Sequence, residues 1–190
     1  MFAKPDEHGV PADQLVGRDA TPADARRIAE IYNEGIADRI ATFETEPRTA
    51  ADIRAWFARP YPIVVVEAGG QVSAFAALSS YRDRACYAGI AEFSVYVARE
   101  ARGQGLGHAA MSVLLAAAEA AGFWKLVSRV FVENEGSRRL LGRIGFREVG
   151  VYEKHGKLDG VWHDVVIVEH LIPANLTGQP DHTPRPGSRR

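Results

Sequence analysis

The sequence predicts a single α/β (α+β) domain in which a mixed, mostly antiparallel sheet is flanked by helices. Its apolar residues switch between two-residue alternation and helical spacing in the order β-α-α-β-β-β-α-β-α-β-β. Strands joined by tight turns occupy the middle of that order, which argues against a doubly wound parallel sheet. With 190 residues, 46% of them hydrophobic, the chain is long enough to bury one core.

Two capping boxes mark the starts of the first two helices. Thr21-Pro22-Ala23-Asp24 supplies an N-cap, a proline at the first helical position and an acidic third residue. The apolar residues that follow recur at helical spacing and predict an inward face, made of Ile28, Ile31, Tyr32 and Ile36. Thr49-Ala50-Ala51-Asp52 opens a shorter helix that runs through Phe57.

The remaining elements follow from alternation, turn residues and alanine content. Strands are expected at 14–19, 62–67, 71–79, 90–97, 125–132, 146–152 and 163–170, and helices at 108–121 and 137–143. Gly69-Gly70 predicts the tight turn of an antiparallel pair. The domain is therefore expected to span 14–173, and the Pro- and Gly-containing ends, 1–13 and 174–190, are expected to be disordered extensions.

A glycine-rich loop lies between the predicted strand at 90–97 and the long predicted helix at 108–121. It reads Arg102-Gly103-Gln104-Gly105-Leu106-Gly107. Glycines let successive backbone N–H groups turn toward an anion, and the helix adds the positive end of its dipole. The loop lacks the Gly-Lys-Ser/Thr of a mononucleotide loop, and its glycine spacing differs from the dinucleotide fingerprint. It therefore predicts a metal-free pyrophosphate site.

Composition narrows the function classes further. The chain has 23 basic and 24 acidic residues, for a net charge of -1, so no broad nucleic-acid surface is expected. Cys86 is the one cysteine, which excludes an internal disulfide and a cysteine-based zinc site. Neither a metal-binding His and acid pattern nor an apolar run of roughly 18 residues occurs in the sequence. We expect a metal-free protein that does not cross a membrane and works in the cytoplasm.

Several motifs in order resemble one enzyme family. Arg102, Gly105 and Gly107 fit the Arg/Gln-x-x-Gly-x-Gly pattern of the acetyl-CoA loop in the GNAT N-acetyltransferase superfamily, whose fold has the same element order. From about 31 to 173 the chain resembles the phosphinothricin and arsinothricin N-acetyltransferases. The segments that carry this likeness are Thr42–Pro47, Arg82 to Tyr87, Ala91–Val97, Asn134 with Ser137, Gly145-Phe146 and Trp162-His163-Asp164. The variant at 39–45 and the segment 122–131 look more like the arsinothricin branch.

The resemblance implies acetyl-CoA as co-substrate, a small amino-acid analogue as acceptor, and a homodimer. Cofactor contacts are implied for the glycine loop, for the backbone of the preceding strand and for the next loop, namely at Val95, Val97, Arg102, Gly103, Gln104, Gly105, Gly107, His108, Asn134 and Ser137. The implied acceptor contacts are Phe43, Arg82, Arg84 and Tyr87, because a guanidinium suits a phosphinate or arsinate oxygen pair. Phe43 is equally consistent with an ordinary core aromatic. Where phosphinothricin enzymes carry a histidine, this chain has Leu141, so that histidine's role does not carry over.

Glu92 is the first candidate for the catalytic base. Acetyl transfer to an amine requires the amine to lose a proton, and alternation places Glu92, Ser94 and Tyr96 on one face of their strand. The alternative is that Glu92 only pairs with Arg82 or Arg84. His163 is the second candidate proton carrier, with the alternative that Asp164 merely holds its ring nitrogen.

Three functional interpretations remain open at this point. The first is acetylation of the α-amino group of a glutamate analogue such as phosphinothricin, methionine sulfoximine or arsinothricin, which would confer resistance. The second keeps acetyl-CoA but uses a protein N-terminus, a polyamine or an aminoglycoside as acceptor. The third is a CoA-binding module without turnover.

Overall fold

The computed structural model describes residues 15–176. Its strands are β1 (Leu15–Asp19), β2 (Ile63–Ala68), β3 (Gln71–Ser80), β4 (Ile90–Val97), β5 (Lys125–Phe131), β6 (Arg147–Leu158) and β7 (Val161–Leu171). Its α-helices are α1 (Ala25–Asp38), α2 (Ala50–Trp56), α3 (Leu106–Ala120) and α4 (Glu135–Arg143). The predicted element order is confirmed. The extension expected at 1–13 and most of the expected tail lie outside the described residues.

All seven strands form one sheet in the order β1-β2-β3-β4-β5-β7-β6. Every neighbouring pair is antiparallel except β4 with β5, which are parallel. The sheet is therefore mixed and mostly antiparallel, as the sequence predicts. The one parallel contact results from the long connection through α3, because a tight turn cannot join parallel strands.

Helices cover both faces of the sheet, and β4 shows which side chains lie on each face. Tyr96 packs against α1, where a Cβ atom added to Gly35 would come within 2.6 Å of the tyrosine ring. Val97, one residue along, contacts the first turn of α3 near Gly107. Glu92 and Ser94 therefore share the α1 face with Tyr96, as the alternation predicts.

The capping residues act as the sequence predicts at the first two helices. The Thr49 hydroxyl accepts a hydrogen bond from the Asp52 N–H, while the Asp52 carboxylate accepts one from the Thr49 N–H at 2.7 Å. Thr21 and Asp24 form the corresponding box before α1. These bonds satisfy N–H groups that the first helical turn leaves without partners.

Several boundaries differ from the sequence-based prediction. α3 begins two residues earlier than expected because Gly105 takes the N-cap position, and α4 begins two residues earlier because Asn134 caps it. β6 extends to Leu158 instead of stopping at 152, with register shifts between Glu148 and Gly150 and between Tyr152 and Gly156. Alternation fails at such bulges, so a two-residue pattern cannot follow the strand through them.

The folded part also runs slightly past the expected boundary at 173. A 3-10 turn covers Pro173–Asn175. The Asn175 side chain donates hydrogen bonds to the carbonyl oxygens of Glu119 and Phe123 at 2.8 and 2.9 Å. These bonds fasten the chain after β7 to the end of α3.

Candidate active site

A cleft opens where β4 and β5 separate. Their parallel ladder holds only three residue pairs and ends at Glu92 opposite Val127. Beyond that point the strands border a cavity of about 60 Å³, lined by Ala41, Ser94, Val95, Tyr96, Ser128, Arg129, Val130, Phe131, Asn134 and Ser137. Backbone groups of β4 on the cleft side have no ladder partner here, so a ligand or water must satisfy them. Val95 and Val97, both predicted to contact the cofactor, lie in this stretch.

The glycine loop has the backbone that a phosphate site needs. Gly103 and Gly105 have φ values of 78° and 85°, which residues with a Cβ atom rarely adopt. Gly105 is the N-cap of the 15-residue helix α3, and no side chain caps that helix. A Cβ atom built on either glycine would meet no described atom within 4 Å. The first amides of α3 are therefore accessible to an anion, which fits a pyrophosphate.

The polar side chains of the loop donate hydrogen bonds to residues outside it and stabilise its backbone. Arg102 donates from Nη1 to Asp38 at 2.6 Å and from Nε to the Val97 carbonyl at 3.2 Å. Gln104 donates to the Glu100 carbonyl at 3.0 Å. These hydrogen bonds stabilise the shape of the loop, and they leave the predicted phosphate contacts to its backbone amides. His108 lies exposed on the first turn of α3.

Asp38 is a residue of this region that the sequence reasoning missed. Its carboxylate, 18% exposed, accepts hydrogen bonds from both Arg99 and Arg102. Partial burial opposes ionisation, but these two hydrogen bonds outweigh it and lower the pKa of Asp38. Since Asp38 is the last residue of α1, it links the glycine loop to the segment that carries Phe43. The contact joins residues 64 positions apart, so no local pattern could reveal it.

Glu92 forms an ion pair across the cleft with Arg129. The distance from Glu92 Oε1 to Arg129 Nη1 is 2.8 Å, and the two side chains are 27% and 39% exposed. Glu92 therefore does pair with an arginine, as the alternative from the sequence has it, but the partner is Arg129 and not Arg82 or Arg84. Arg129 was not among the predicted site residues, although its position two residues beyond Val127 places it on the same face as Glu92. Glu92 and Arg129 are too far apart in the chain for sequence spacing to show that they pair.

Phe43 and His163 belong to an aromatic cluster at the far end of the cleft. The Phe43 ring makes an edge contact with Phe131 at 4.7 Å between centroids, and the His163 ring stacks on Phe131 at 4.9 Å. His155 also lies near Phe43, with ring centroids 6.4 Å apart. The structure thus brings Phe43 and His163 together beside the cleft.

The alternative weighed for His163, that Asp164 holds its ring nitrogen, is wrong. Asp164 accepts a hydrogen bond from the Lys154 N–H at 2.6 Å and so stabilises the bulge in β6. His163 Nδ1 is buried without a hydrogen-bond partner among residues 15–176, and the nearest carboxylate oxygen, from Glu133, is 3.6 Å away. Successive strand residues point to opposite faces, which explains why Asp164 cannot reach the neighbouring ring.

The arginines predicted to bind the acceptor lie on the β3–β4 loop. The guanidinium of Arg82 lies 5.2 Å from the Tyr81 ring centroid and 6.0 Å from that of Tyr87. Arg84 is exposed and makes no side-chain hydrogen bond within the described part of the chain. The loop leaves β3 directly after Ser80, which pairs with Ala91, the neighbour of Glu92. Both arginines are therefore close in sequence and register to the Glu92 end of the cleft.

Asn134 and Ser137 form the N-terminal cap of α4. Asn134 Oδ1 accepts a hydrogen bond from the Ser137 N–H at 3.0 Å, and Asn134 Nδ2 donates to the Ile40 carbonyl at 3.1 Å. Both residues border the cleft. Leu141, where a histidine occurs in phosphinothricin enzymes, is 1% exposed and packs in the main core. Its side chain carries no proton to transfer.

Within residues 15–176, no group of three or more His, Cys, Asp or Glu side chains could hold a metal ion, and no helix is long and apolar enough to cross a membrane.

Comparisons with known proteins identify the family. The acetyltransferase (GNAT) family profile matches residues 28–146. The chain is 33% identical over 162 residues to a phosphinothricin N-acetyltransferase of Streptomyces coelicolor, covering 82% of this chain and 95% of the relative. It is 32% identical over 157 residues to an L-methionine sulfoximine/L-methionine sulfone acetyltransferase of Pseudomonas aeruginosa, covering 80% and 91%.

A solved structure gives the same result for the fold. A phosphinothricin acetyltransferase of Sinorhizobium meliloti in complex with acetyl-CoA superposes with a TM-score of 0.81 at 30% identity, covering 91% of this chain and 96% of that one.

Proposed function

Since the chain belongs to the GNAT acetyltransferase family, we propose that it transfers the acetyl group of acetyl-CoA to the α-amino group of a small glutamate analogue. The acceptor class comprises phosphinothricin, methionine sulfoximine and arsinothricin, and acetylation inactivates such compounds and so confers resistance. The observation that carries the proposal is the carboxylate of Glu92 at the mouth of the cleft between β4 and β5, on the strand that leads into the glycine loop.

Glu92 serves as the base in this proposal. The acceptor's ammonium gives up a proton to the Glu92 carboxylate, directly or through a water molecule. The free amine then forms a C–N bond to the thioester carbonyl carbon, the C–S bond breaks, and CoA leaves as a thiolate that takes up the second proton released by the nitrogen. His163 is the second proton carrier in this proposal, because its buried ring nitrogen has no described hydrogen-bond partner and its ring stacks on Phe131, which lines the cleft. Binding both reactants in one cleft supplies much of the rate.

The cofactor side of the proposal uses mostly backbone. The amides of 103–107 and the dipole of α3 hold the pyrophosphate, while the backbone of Val95 and Val97, beyond the end of the β4–β5 ladder, contacts the pantetheine arm. Asn134 and Ser137 line the same path. The Asn134 amide already donates to the Ile40 carbonyl, so a contact from it to the pantetheine arm exchanges that bond. Acetyl-CoA binding is therefore coupled to the segment that carries Phe43.

On the acceptor side, the loop arginines take the distal anion. Arg82 and Arg84 are exposed and adjacent to the Glu92 end of the cleft, and a forked guanidinium matches a phosphinate or arsinate oxygen pair. Tyr87 supports Arg82 through its ring. Phe43 covers the aliphatic part of the acceptor. This arrangement disfavours polyamines and aminoglycosides, because the two arginines repel polycations.

A thiol-release assay tests the proposal. Purified protein with acetyl-CoA is given phosphinothricin, methionine sulfoximine and arsinothricin, and in parallel a peptide with a free N-terminus, spermidine and an aminoglycoside. Turnover is expected with the amino-acid analogues, and Arg82→Ala is expected to raise KM chiefly. Turnover only with a peptide or polyamine would assign the protein to another acceptor class. Tight acetyl-CoA binding with no turnover on the whole panel would favour a CoA-binding module.

We also propose a cytoplasmic homodimer. β6 is an edge strand, and it exposes Val149, Val151 and Tyr152 at 48%, 52% and 53%. An exposed apolar edge strand is a pairing surface that proteins usually cover. Sedimentation should give twice the monomer mass, and Val151→Glu should shift it toward the monomer. A monomeric wild type at micromolar concentration would exclude the dimer.

A further inference from the structure

Arg129 is the most prominent group in the cleft to which the chemistry above gives no task. It lies on β5, two residues beyond Val127, on the same sheet face as Glu92 and Ser94. Its side chain borders the cleft and is 39% exposed. An arginine that only stabilised the fold would gain little here, because a partly exposed ion pair contributes at most about 1 kcal/mol.

Most of the hydrogen-bonding capacity of Arg129 is unused. A guanidinium has five N–H donors in a planar fork. Within residues 15–176, one of these donors is engaged, from Nη1 to Glu92 Oε1 at 2.8 Å. The other four have no described partner, although the group borders a cavity with Ser94 and Phe131. The fork can therefore bind an anion in the cleft while it keeps its bond to Glu92.

The geometry of an α-amino acid matches this pair of charges. The ammonium and the carboxylate are attached to the same carbon atom, so they cannot be far apart. If Glu92 receives the proton of the amine, the carboxylate of the same molecule must lie within a few bond lengths of Glu92. The Arg129 guanidinium occupies that neighbourhood, and arginine binds carboxylates through two parallel hydrogen bonds.

We propose that Arg129 binds the α-carboxylate of the acceptor and so makes the enzyme selective for α-amino acids over amines without that group. The inference rests on the proposed function and deepens it. Glu92 accepts the ammonium proton and Arg129 binds the carboxylate. Arg82 and Arg84 then bind the distal anion. The Glu92–Arg129 ion pair thus recognises the ammonium and the carboxylate that every α-amino acid carries.

The experiment compares two acceptors that differ only in the charge near the amine. Phosphinothricin and its α-carboxamide have almost the same shape, but the carboxamide lacks the negative charge. kcat/KM is measured for both by thiol release with the wild type, Arg129→Met and Arg129→Lys. Where turnover of the carboxamide is too slow to measure, calorimetric Kd values in the presence of CoA give the same ratio. Arg26→Met is the matched control, because Arg26 is 86% exposed on α1 and pairs only with Glu30 among its described neighbours.

The deciding quantity is the ratio of kcat/KM for phosphinothricin to kcat/KM for its α-carboxamide. In the wild type the acid is expected to exceed the carboxamide by about 10- to 150-fold, since a charged hydrogen-bonded pair contributes about 1.5–3 kcal/mol. Arg129→Met should reduce that ratio to within about threefold, Arg129→Lys should give an intermediate value because lysine keeps the charge without the fork, and Arg26→Met should leave it unchanged.

Two results would overturn the inference. If Arg129→Met slows both acceptors by the same factor, the arginine only positions Glu92. If Arg129→Met leaves kcat/KM for both acceptors at the wild-type value, the carboxylate is bound elsewhere. Failure of the proposed function is a separate result, because the wild type itself would then release no thiol with any amino-acid analogue.

Discussion

Replacing Gly156 by alanine should weaken binding of the amino-acid acceptor without affecting acetyl-CoA, because the new methyl group collides with Phe43. A Cβ atom built at position 156 lies 2.7 Å from Phe43 Cε1 and 2.9 Å from Cζ. Ordinary van der Waals contact begins at 3.4 Å, so the ring edge must retreat by about 0.7 Å, the difference between those two distances. The ring can do so, since Phe43 is only half-buried and lies on the segment between α1 and α2.

The size of the effect follows from that displacement. A shift of about 1 Å in a group that orients a substrate can cost about 100-fold in rate, so a smaller shift predicts a loss of about 10-fold in kcat/KM for phosphinothricin, mainly through KM. Forcing a methyl group into a packed site costs about 1–3 kcal/mol, and the low end applies here because the half-buried ring can move.

Gly150→Ala provides the matched control for this experiment. Gly150 lies on the same strand, and a Cβ atom there meets no described atom within 4 Å. Thiol release at varied phosphinothricin and at varied acetyl-CoA separates the two KM values, and thermal unfolding reports stability. A lower Tm for Gly156→Ala with an unchanged phosphinothricin KM would refute the reasoning and leave Phe43 as a core aromatic.

Three further predictions concern the base, the cofactor loop and an ion-pair network. Glu92→Gln should lower kcat by about 100-fold or more and leave the calorimetric Kd for acetyl-CoA unchanged; unaltered turnover would discard Glu92 as the base. Gly105→Val should raise the Kd for acetyl-CoA at least 10-fold, because φ is 85° there and a side chain blocks the approach of the ligand to the backbone. Gly122→Val, with φ of 83° at the end of α3, should cost stability alone. Equal Kd values in the two variants would exclude the phosphate site. The Arg18 hydrogen bond lowers the pKa of Asp24 to about 2, so the ion pair stabilises the fold above the ordinary aspartate pKa and loses this effect as pH falls through about 2. After allowance for the partly exposed Arg18, Asp24→Asn should cost about 1 kcal/mol at pH 7 and flatten the loss of unfolding free energy below pH 4; an equally steep loss in the variant would contradict this assignment.

Local features of the fold were predictable from the sequence because their causes are local. The capping boxes at Thr21 and Thr49 fix helix starts through hydrogen bonds that span three residues. The backbone of the glycine loop was predictable because glycines tolerate the positive φ values that it requires. Even the long β6–β7 hairpin carried a readable signal in Asp159-Gly160, since both residues have positive φ, as a tight hairpin turn requires.

The pairings that build the site were not predictable in the same way. Arg129 reaches Glu92 only because the β4–β5 ladder is parallel and ends where it does, which is a property of the whole sheet. Asp38 holds Arg102 from 64 residues away. Asp164 failed as the partner of His163 because neighbouring strand residues face opposite ways, and a bulge at Lys154 gave its carboxylate another donor.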